Sequence, residues 1–264
     1  MPITQVGSHS IYYDDYGAGH PLLLIHGLGT SRLIWWKQIQ IISRKYRLLN
    51  MDNRDAGDSA PGTGPYTIAD MADDAAGLIR NLECGPTYVM GWSMGGYIAL
   101  ELSLRHPELV DKLILVATSA GGSAYFPPGQ EVAALLMPRD NEDIETLVRR
   151  VYPHITAPGY MNSHPEDLDT AVRNAESKPM PFPSFQRHLG AIMMWPGATG
   201  RISGISQPTL VVHGTEDPLL PYRNGLSLST MIKGAKLLTY TNVGHLPPIE
   251  ASERFNGDVM EFLG

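Results

Sequence analysis

Gly91-Trp92-Ser93-Met94-Gly95 sits where a β-rich run gives way to a helix-forming run, and no other stretch of the chain constrains its fold as tightly. Thr87 to Met90 suits a buried strand, and Tyr97 to Arg105 reads as a buried helix. Joining the two within a few residues requires a sharp turn, which glycine permits because it has no Cβ to clash. Ser93 lies at the apex, so its hydroxyl projects above the sheet. Alone, Gly-x-Ser-x-Gly arises by chance about 0.2 times in a chain of this length and glycine content, so the weight falls on its companions.

A serine hydroxyl becomes a nucleophile only when a base takes its proton and a third group orients that base. Both follow here in the order Ser, acid, His. Thr209 to Val212 is strand-like and leads into His213-Gly214-Thr215-Glu216-Asp217-Pro218. Leu237 to Tyr240 is strand-like and leads into Asn242-Val243-Gly244-His245. Ser93, the Glu216–Asp217 pair and His245 all fall just past strand C-termini, the side on which α/β sheets bind ligands. A further strand, Pro21 to Ile25, runs into His26-Gly27-Leu28-Gly29. Acyl transfer needs two backbone N–H groups aimed at a developing oxyanion, and Met94 and Leu28 are the candidates.

The rest of the chain supplies a matching scaffold. Ile11 to Tyr16 reads as a strand of an opening hairpin, Ser31 to Ser43 as an amphipathic helix and Tyr46 to Met51 as a strand. Thr67 and Asp70 form a capping box before a helix with Ile68, Met71, Ala75, Leu78, Ile79 and Leu82 on one face. Leu113 to Ala117 is another buried strand. Strands alternating with helices predict an α/β fold with a mostly parallel central sheet covered on both faces. The alternation stops between residues 121 and 202, which hold ten of the 21 prolines, with helical patterns at Glu142 to Val151 and Pro165 to Glu176. So long a stretch is not plain loop. The predicted architecture is a core of residues 1–120 and 203–264 with an inserted helical cap, 121–202.

Trp35 beside the oxyanion turn, Trp92 beside the serine, and Met137, Met194 and Trp195 in the insertion are candidate pocket residues; methionine-rich walls suit varied apolar ligands. Asp52, Arg54, Asp55 and Asp58 crowd one turn and read as an internally paired structural loop, since no His or Cys ligand spacing accompanies them. His26 and His213 are expected to brace their turns. Cys84 is the one cysteine, so no internal disulfide forms. The net charge of −7 disfavours nucleic acid and anionic membrane surfaces as partners. No run approaches the ~20 apolar residues of a membrane span, and the N-terminus lacks a secretory pattern, so a cytoplasmic location is expected. No metal or cofactor is called for.

Taken together, His26-Gly27-Leu28-Gly29, Asp52-Asn53-Arg54, the Ser93 elbow, His213-Gly214-Thr215-Glu216-Asp217 and Gly244-His245 resemble the α/β-hydrolase superfamily. The match runs from about Ile11 to Leu263. It is most similar to the capped single-domain branch of esterases, lactonases and 3-oxoadipate enol-lactonases. One departure is visible: Asp55 stands where that family usually has glycine. The resemblance favours Asp217 over Glu216 as the acid, because Asp217 precedes Pro218 in the family-like turn. In some relatives the acid follows the strand that here ends in Thr118, and this chain offers no carboxylate there. The implied activity is hydrolysis of a small-molecule carboxylic ester or lactone through an acyl-enzyme. Acyl transfer, perhydrolysis, enol-lactone or C–C bond hydrolysis by the same triad, and a non-catalytic receptor, are the alternatives.

Overall fold

The computed structural model describes residues 2–137, 139 and 142–264. Among them are eight strands: β1 (Ile3–Val6), β2 (His9–Tyr16), β3 (Pro21–Ile25), β4 (Arg47–Met51), β5 (Thr87–Trp92), β6 (Val110–Val116), β7 (Thr209–Gly214) and β8 (Lys236–Tyr240). They form one sheet in the order β1-β2-β4-β3-β5-β6-β7-β8. The β1–β2 and β2–β4 pairings are antiparallel, and every other neighbouring pair is parallel.

The described helices are α1 (Trp36–Ile42), α2 (Ile68–Asn81), α3 (Met94–Arg105), α4 (Gln130–Leu135), α5 (Ile144–Ile155), α6 (Tyr160–Ser163), α7 (Pro165–Ser177), α8 (Phe182–Met194), α9 (Arg223–Met231), α10 (Pro247–Glu250) and α11 (Ser252–Leu263). Side chains of α2, α3 and α9 pack on one face of the sheet, and those of α1 and α11 on the other. The strands divide accordingly. Leu23, Ile25, Leu113, Leu115 and Val211 point to the first face; Leu22, Leu24, Ile114, Val116, Leu210 and Val212 point to the second. Both faces are buried, which is why these strands read as continuous apolar runs. Each such side chain contributes roughly 1.5–3 kcal/mol by leaving water.

The capping box forms as the sequence indicates. Thr67 Oγ1 accepts from the Asp70 N–H at 3.1 Å, and the Asp70 carboxylate accepts from the Thr67 N–H at 2.7 Å. Between β6 and β7 the chain leaves the sheet and forms α4 to α8. The helical patterns at Glu142–Val151 and Pro165–Glu176 fall on α5 and α7. These two pack together through Val148, Ala171 and Val172.

The acidic turn after β4 differs from expectation. Its charges do not pair with one another. Asp52 and Asp58 take Arg32, Arg54 takes Asp74 on α2, and Asp55 and Asp58 reach across to Arg187 and Lys178 of the insertion. Local sequence shows four charges within seven residues but not the partners that the fold delivers beside them.

Candidate active site

Ser93 links β5 to α3 with φ 56° and ψ −121°, a backbone state that L-residues adopt at a cost of roughly 1–3 kcal/mol. The surroundings hold it there. Its N–H donates to the Val116 carbonyl at 2.9 Å, and its own carbonyl accepts from Gly96 N–H and Thr118 Oγ1, both at 2.8 Å. The flanking glycines are required by contact: a Cβ at Gly91 would strike the Gly95 carbonyl, and one at Gly95 would strike the Ile25 carbonyl.

The chain brings three sequence candidates into one hydrogen-bonded series. His245 Nε2 lies 3.1 Å from Ser93 Oγ, and His245 Nδ1 lies 2.8 Å from Asp217 Oδ2. The other Asp217 oxygen accepts from the N–H groups of Leu219 and Leu220 at 2.9 and 2.8 Å. Burial works to raise the Asp217 pKa, but the neighbouring His245 and His213 outweigh it and hold the carboxyl down at about 2. It is therefore an anion at neutral pH, and its acceptor oxygen fixes the proton of His245 on Nδ1. Glu216 points elsewhere, its carboxylate meeting only Thr215 Oγ1 at 3.3 Å among the described residues.

The His26-Gly27-Leu28-Gly29 turn lies against this series. A Cβ at Gly27 would lie 3.1 Å from Ser93 Cβ. Leu28 and Met94 both line the adjoining cavity. Met94 opens α3, so its N–H is one of the donors that a helix start leaves without an intrahelical partner. His26 braces the turn: it accepts from the Asn53 N–H through Nε2 at 3.0 Å and donates to the Gly27 carbonyl through Nδ1 at 2.9 Å. Burial pushes it down to about 4, so it stays neutral and keeps that acceptor. His213 braces likewise, donating to the Leu220 carbonyl at 2.7 Å.

A cavity of about 730 Å³ lies between these strand ends and the helical insertion, with Ser93 and His245 on its wall. Of the sequence-predicted pocket residues, Trp92, Met137 and Trp195 line it. Two do not. Trp35 is fully buried among Leu22, Ile42 and other core side chains, and its neighbour Trp36 lines the cavity instead. The chain enters here through a 3₁₀ turn, Arg32–Trp35, before α1 begins, and helical neighbours point about 100° apart, so one tryptophan of the pair turns inward. Met194 is 71% exposed and off the wall, whereas Met193 lies on it. The cavity face of α8 is Phe182, Phe185, Leu189, Ile192 and Met193, a spacing that leaves position 194 outside.

Three further contacts were not foreseen. Trp92 donates its indole N–H to the His245 carbonyl at 2.8 Å. Glu250 accepts from the N–H groups of Gly244 and Leu246, which flank His245, at 2.8 and 2.9 Å, and from Ala157 in the insertion at 2.7 Å. Tyr97, one turn after Ser93, stacks on Trp195 with ring centroids 4.5 Å apart, while Trp195 donates to Glu101 at 2.8 Å. The helical offset from Ser93 was a usable signal for Tyr97, and the Glu250 bonds to Gly244 and Leu246 are local; those of Trp92 with His245, Glu250 with Ala157 and Trp195 with Glu101 join residues far apart in sequence.

The α/β-hydrolase fold pattern matches residues 20–252, and the chain belongs to this family. It is 31% identical to a 2-hydroxymuconate semialdehyde hydrolase from Pseudomonas sp. CF600, over 94% of this chain and 88% of that one. The structure is similar to that of an enol-lactonase from Burkholderia xenovorans LB400, at TM-score 0.86, 26% identity and 99% coverage of both chains. It is also similar to a thermophilic esterase from Thermogutta terrifontis, at TM-score 0.85 and 26% identity over 99% of this chain and 96% of that one. The chain is a hydrolase by family and by these likenesses. Among the described residues, no helix is long and apolar enough to cross a membrane.

Proposed function

We propose that this hydrolase cleaves neutral carboxylic esters or lactones through an acyl-enzyme formed on Ser93. The carrying observation is the continuous Ser93–His245–Asp217 series opening into a largely apolar cavity. Ser93 Oγ attacks the carbonyl carbon as His245 Nε2 takes its proton, and Asp217 stabilises the resulting imidazolium. The N–H groups of Leu28 and Met94 receive the oxyanion. Collapse expels the alcohol, which leaves with the proton from His245. A water then repeats the sequence on the acyl-enzyme and releases the acid. Every step uses side chains and backbone of this chain, so the route calls for no cofactor. Residues 121–202 serve as the cap that closes the far side of the cavity.

The preference for neutral substrates follows from charge. The cavity wall includes Lys178 and Glu142, and each is already paired, with Asp58 and Arg150 respectively. An anionic substrate would have to displace one of these pairs. C–C bond hydrolysis by the same residues is the second reading, favoured by the 31% identity to the semialdehyde hydrolase. A fluorophosphonate probe should label wild type and not Ser93→Ala, and Ser93→Ala should lower ester kcat by about 10⁴ or more. If wild type turned over vinylogous diketones far better than any ester, the second reading would replace the first.

A further inference from the structure

Asp55 has φ 69°, a conformation that glycine adopts freely and an L side chain resists. Its side chain is nonetheless fully buried and takes five hydrogen bonds. Two donors are local, the Gly62 N–H at 2.9 Å and the Tyr66 hydroxyl at 2.7 Å. The other three come from α8: Ser184 Oγ at 3.0 Å and Arg187 Nε and Nη2 at 2.8 and 2.6 Å. Burial acts to raise the carboxyl's pKa, yet the hydrogen bonds from Arg187 and Tyr66 hold it well below the usual carboxylate range. The next turn of α8 is tied to the same loop, since His188 donates to the Arg54 carbonyl at 2.7 Å.

These contacts use one face of α8. An adjoining face carries the cavity wall, with Phe185 and Ile192 among its residues. Phe185 also reaches the oxyanion turn: a Cβ at Gly29 would lie 3.6 Å from its ring. The loop that carries Asp55 holds that turn as well, through the two bonds from Asn53 to His26 at 3.0 and 3.1 Å. A single loop therefore sets both the helix that walls the cavity and the turn beside Ser93.

We propose that Asp55 is a specificity-determining positioning residue: by clasping Ser184 and Arg187 it fixes the roll of α8 and thereby the space available to the acyl group of the substrate. The inference rests on the reading of Ser93 as the acylated residue. Two variants interrupt the clasp differently. Asp55→Gly removes the carboxylate at a position whose backbone suits glycine, and Arg187→Gln removes the cation while leaving Asp55 its bonds to Gly62, Tyr66 and Ser184.

The test is a series of p-nitrophenyl esters from acetyl to decanoyl on wild type and both variants, with thermal melts. In parallel, binding of the non-hydrolysable p-nitrophenyl ethyl and hexyl ethers is measured by calorimetry. The ratio of kcat/KM for hexanoyl over acetyl should fall about fivefold or more in both variants, through KM, and the ether Kd ratio should move the same way. A purely structural role would lower Tm and scale every substrate alike; an unchanged ratio would overturn the proposal. Should Asp55→Gly fail to fold, Arg187→Gln decides alone. Should wild type hydrolyse no ester of the series, the ester reading of Ser93 falls, and the ether ratios still decide the clasp.

Discussion

The indole N–H of Trp92 donates to the main-chain carbonyl of His245 at 2.8 Å, so the residue before Ser93 holds the loop that carries the histidine facing its hydroxyl. The two rings also lie 5.3 Å apart, tilted by 47°. Two neighbours of one elbow thus serve the same imidazole: Ser93 meets its Nε2, and Trp92 anchors its backbone. Glu250 grips the same loop from the other side through Gly244 and Leu246.

Trp92→Phe keeps an aromatic ring beside His245 and deletes only the donor. The buried His245 carbonyl then loses a partner, which costs on the order of 1–2 kcal/mol in the alignment of the base. Ester kcat should drop about tenfold with little change in KM. Steady-state kinetics on a short acyl ester checks this, and an unaltered kcat would remove Trp92 from the positioning of His245.

Asp217→Asn should reduce kcat by roughly 10³ to 10⁴, because the imidazole loses both its tautomer control and its counter-charge. Glu216→Gln should be close to wild type, its carboxylate being turned to Thr215. Comparing the two purified variants separates adjacent carboxylates that the sequence alone leaves side by side. A severe Glu216 defect beside an active Asp217 variant would reverse the assignment.

Stability should fall in mild acid. Burial pushes His26 and His188 from 6.5 down to about 4. Between those values the unfolded chain binds protons that the fold refuses, so the unfolded state gains as pH drops. The loss starts near pH 6.5, continues to about pH 4, and is absent above neutrality. Its slope is at most about 1.4 kcal/mol per pH unit for each histidine. Urea unfolding from pH 8 to 4 should show this slope, and His188→Gln should make it shallower. An identical pH profile for wild type and that variant would place the acid sensitivity elsewhere.

The two adjacent methionines at the end of α8 should behave differently. Met193 lines the cavity and Met194 does not, although both are largely exposed, at 77% and 71%. Each acyl methylene buried in the transition state is worth up to about 0.8 kcal/mol, so kcat/KM should rise with chain length until the cavity is full. Met193→Ala and Trp195→Ala should alter that profile, and Met194→Ala should leave it as in wild type. Equal profiles for all four proteins would make the wall residues packing alone.

Local sequence was enough for most of the elements and for the order in which the candidate residues Ser93, Asp217 and His245 follow one another. Apolar runs such as Leu22 to Ile25, the capping box at Thr67 and the glycines around Ser93 are local signals, each governed by backbone geometry and burial within a few residues. The likeness of Gly244-His245 and His213-Gly214-Thr215-Glu216-Asp217 to known turns singled out His245 and Asp217, which the fold brings into hydrogen-bond distance of one another and, through His245, of Ser93. Contacts that depend on how those loops meet were not legible. Trp35 and Trp36 differ by one helical step, and a 3₁₀ entry decided which of them faced the cavity. Asp55 reads as an ordinary turn acid until β4 and α8 are side by side and Arg187, 132 residues away, closes on it. The Glu250 bond to Ala157 likewise joins segments that meet only across the folded domain. Local sequence sets what each segment tends to form. Tertiary packing sets which faces turn inward and which charges meet, because those outcomes depend on neighbours that the chain supplies from far along its length.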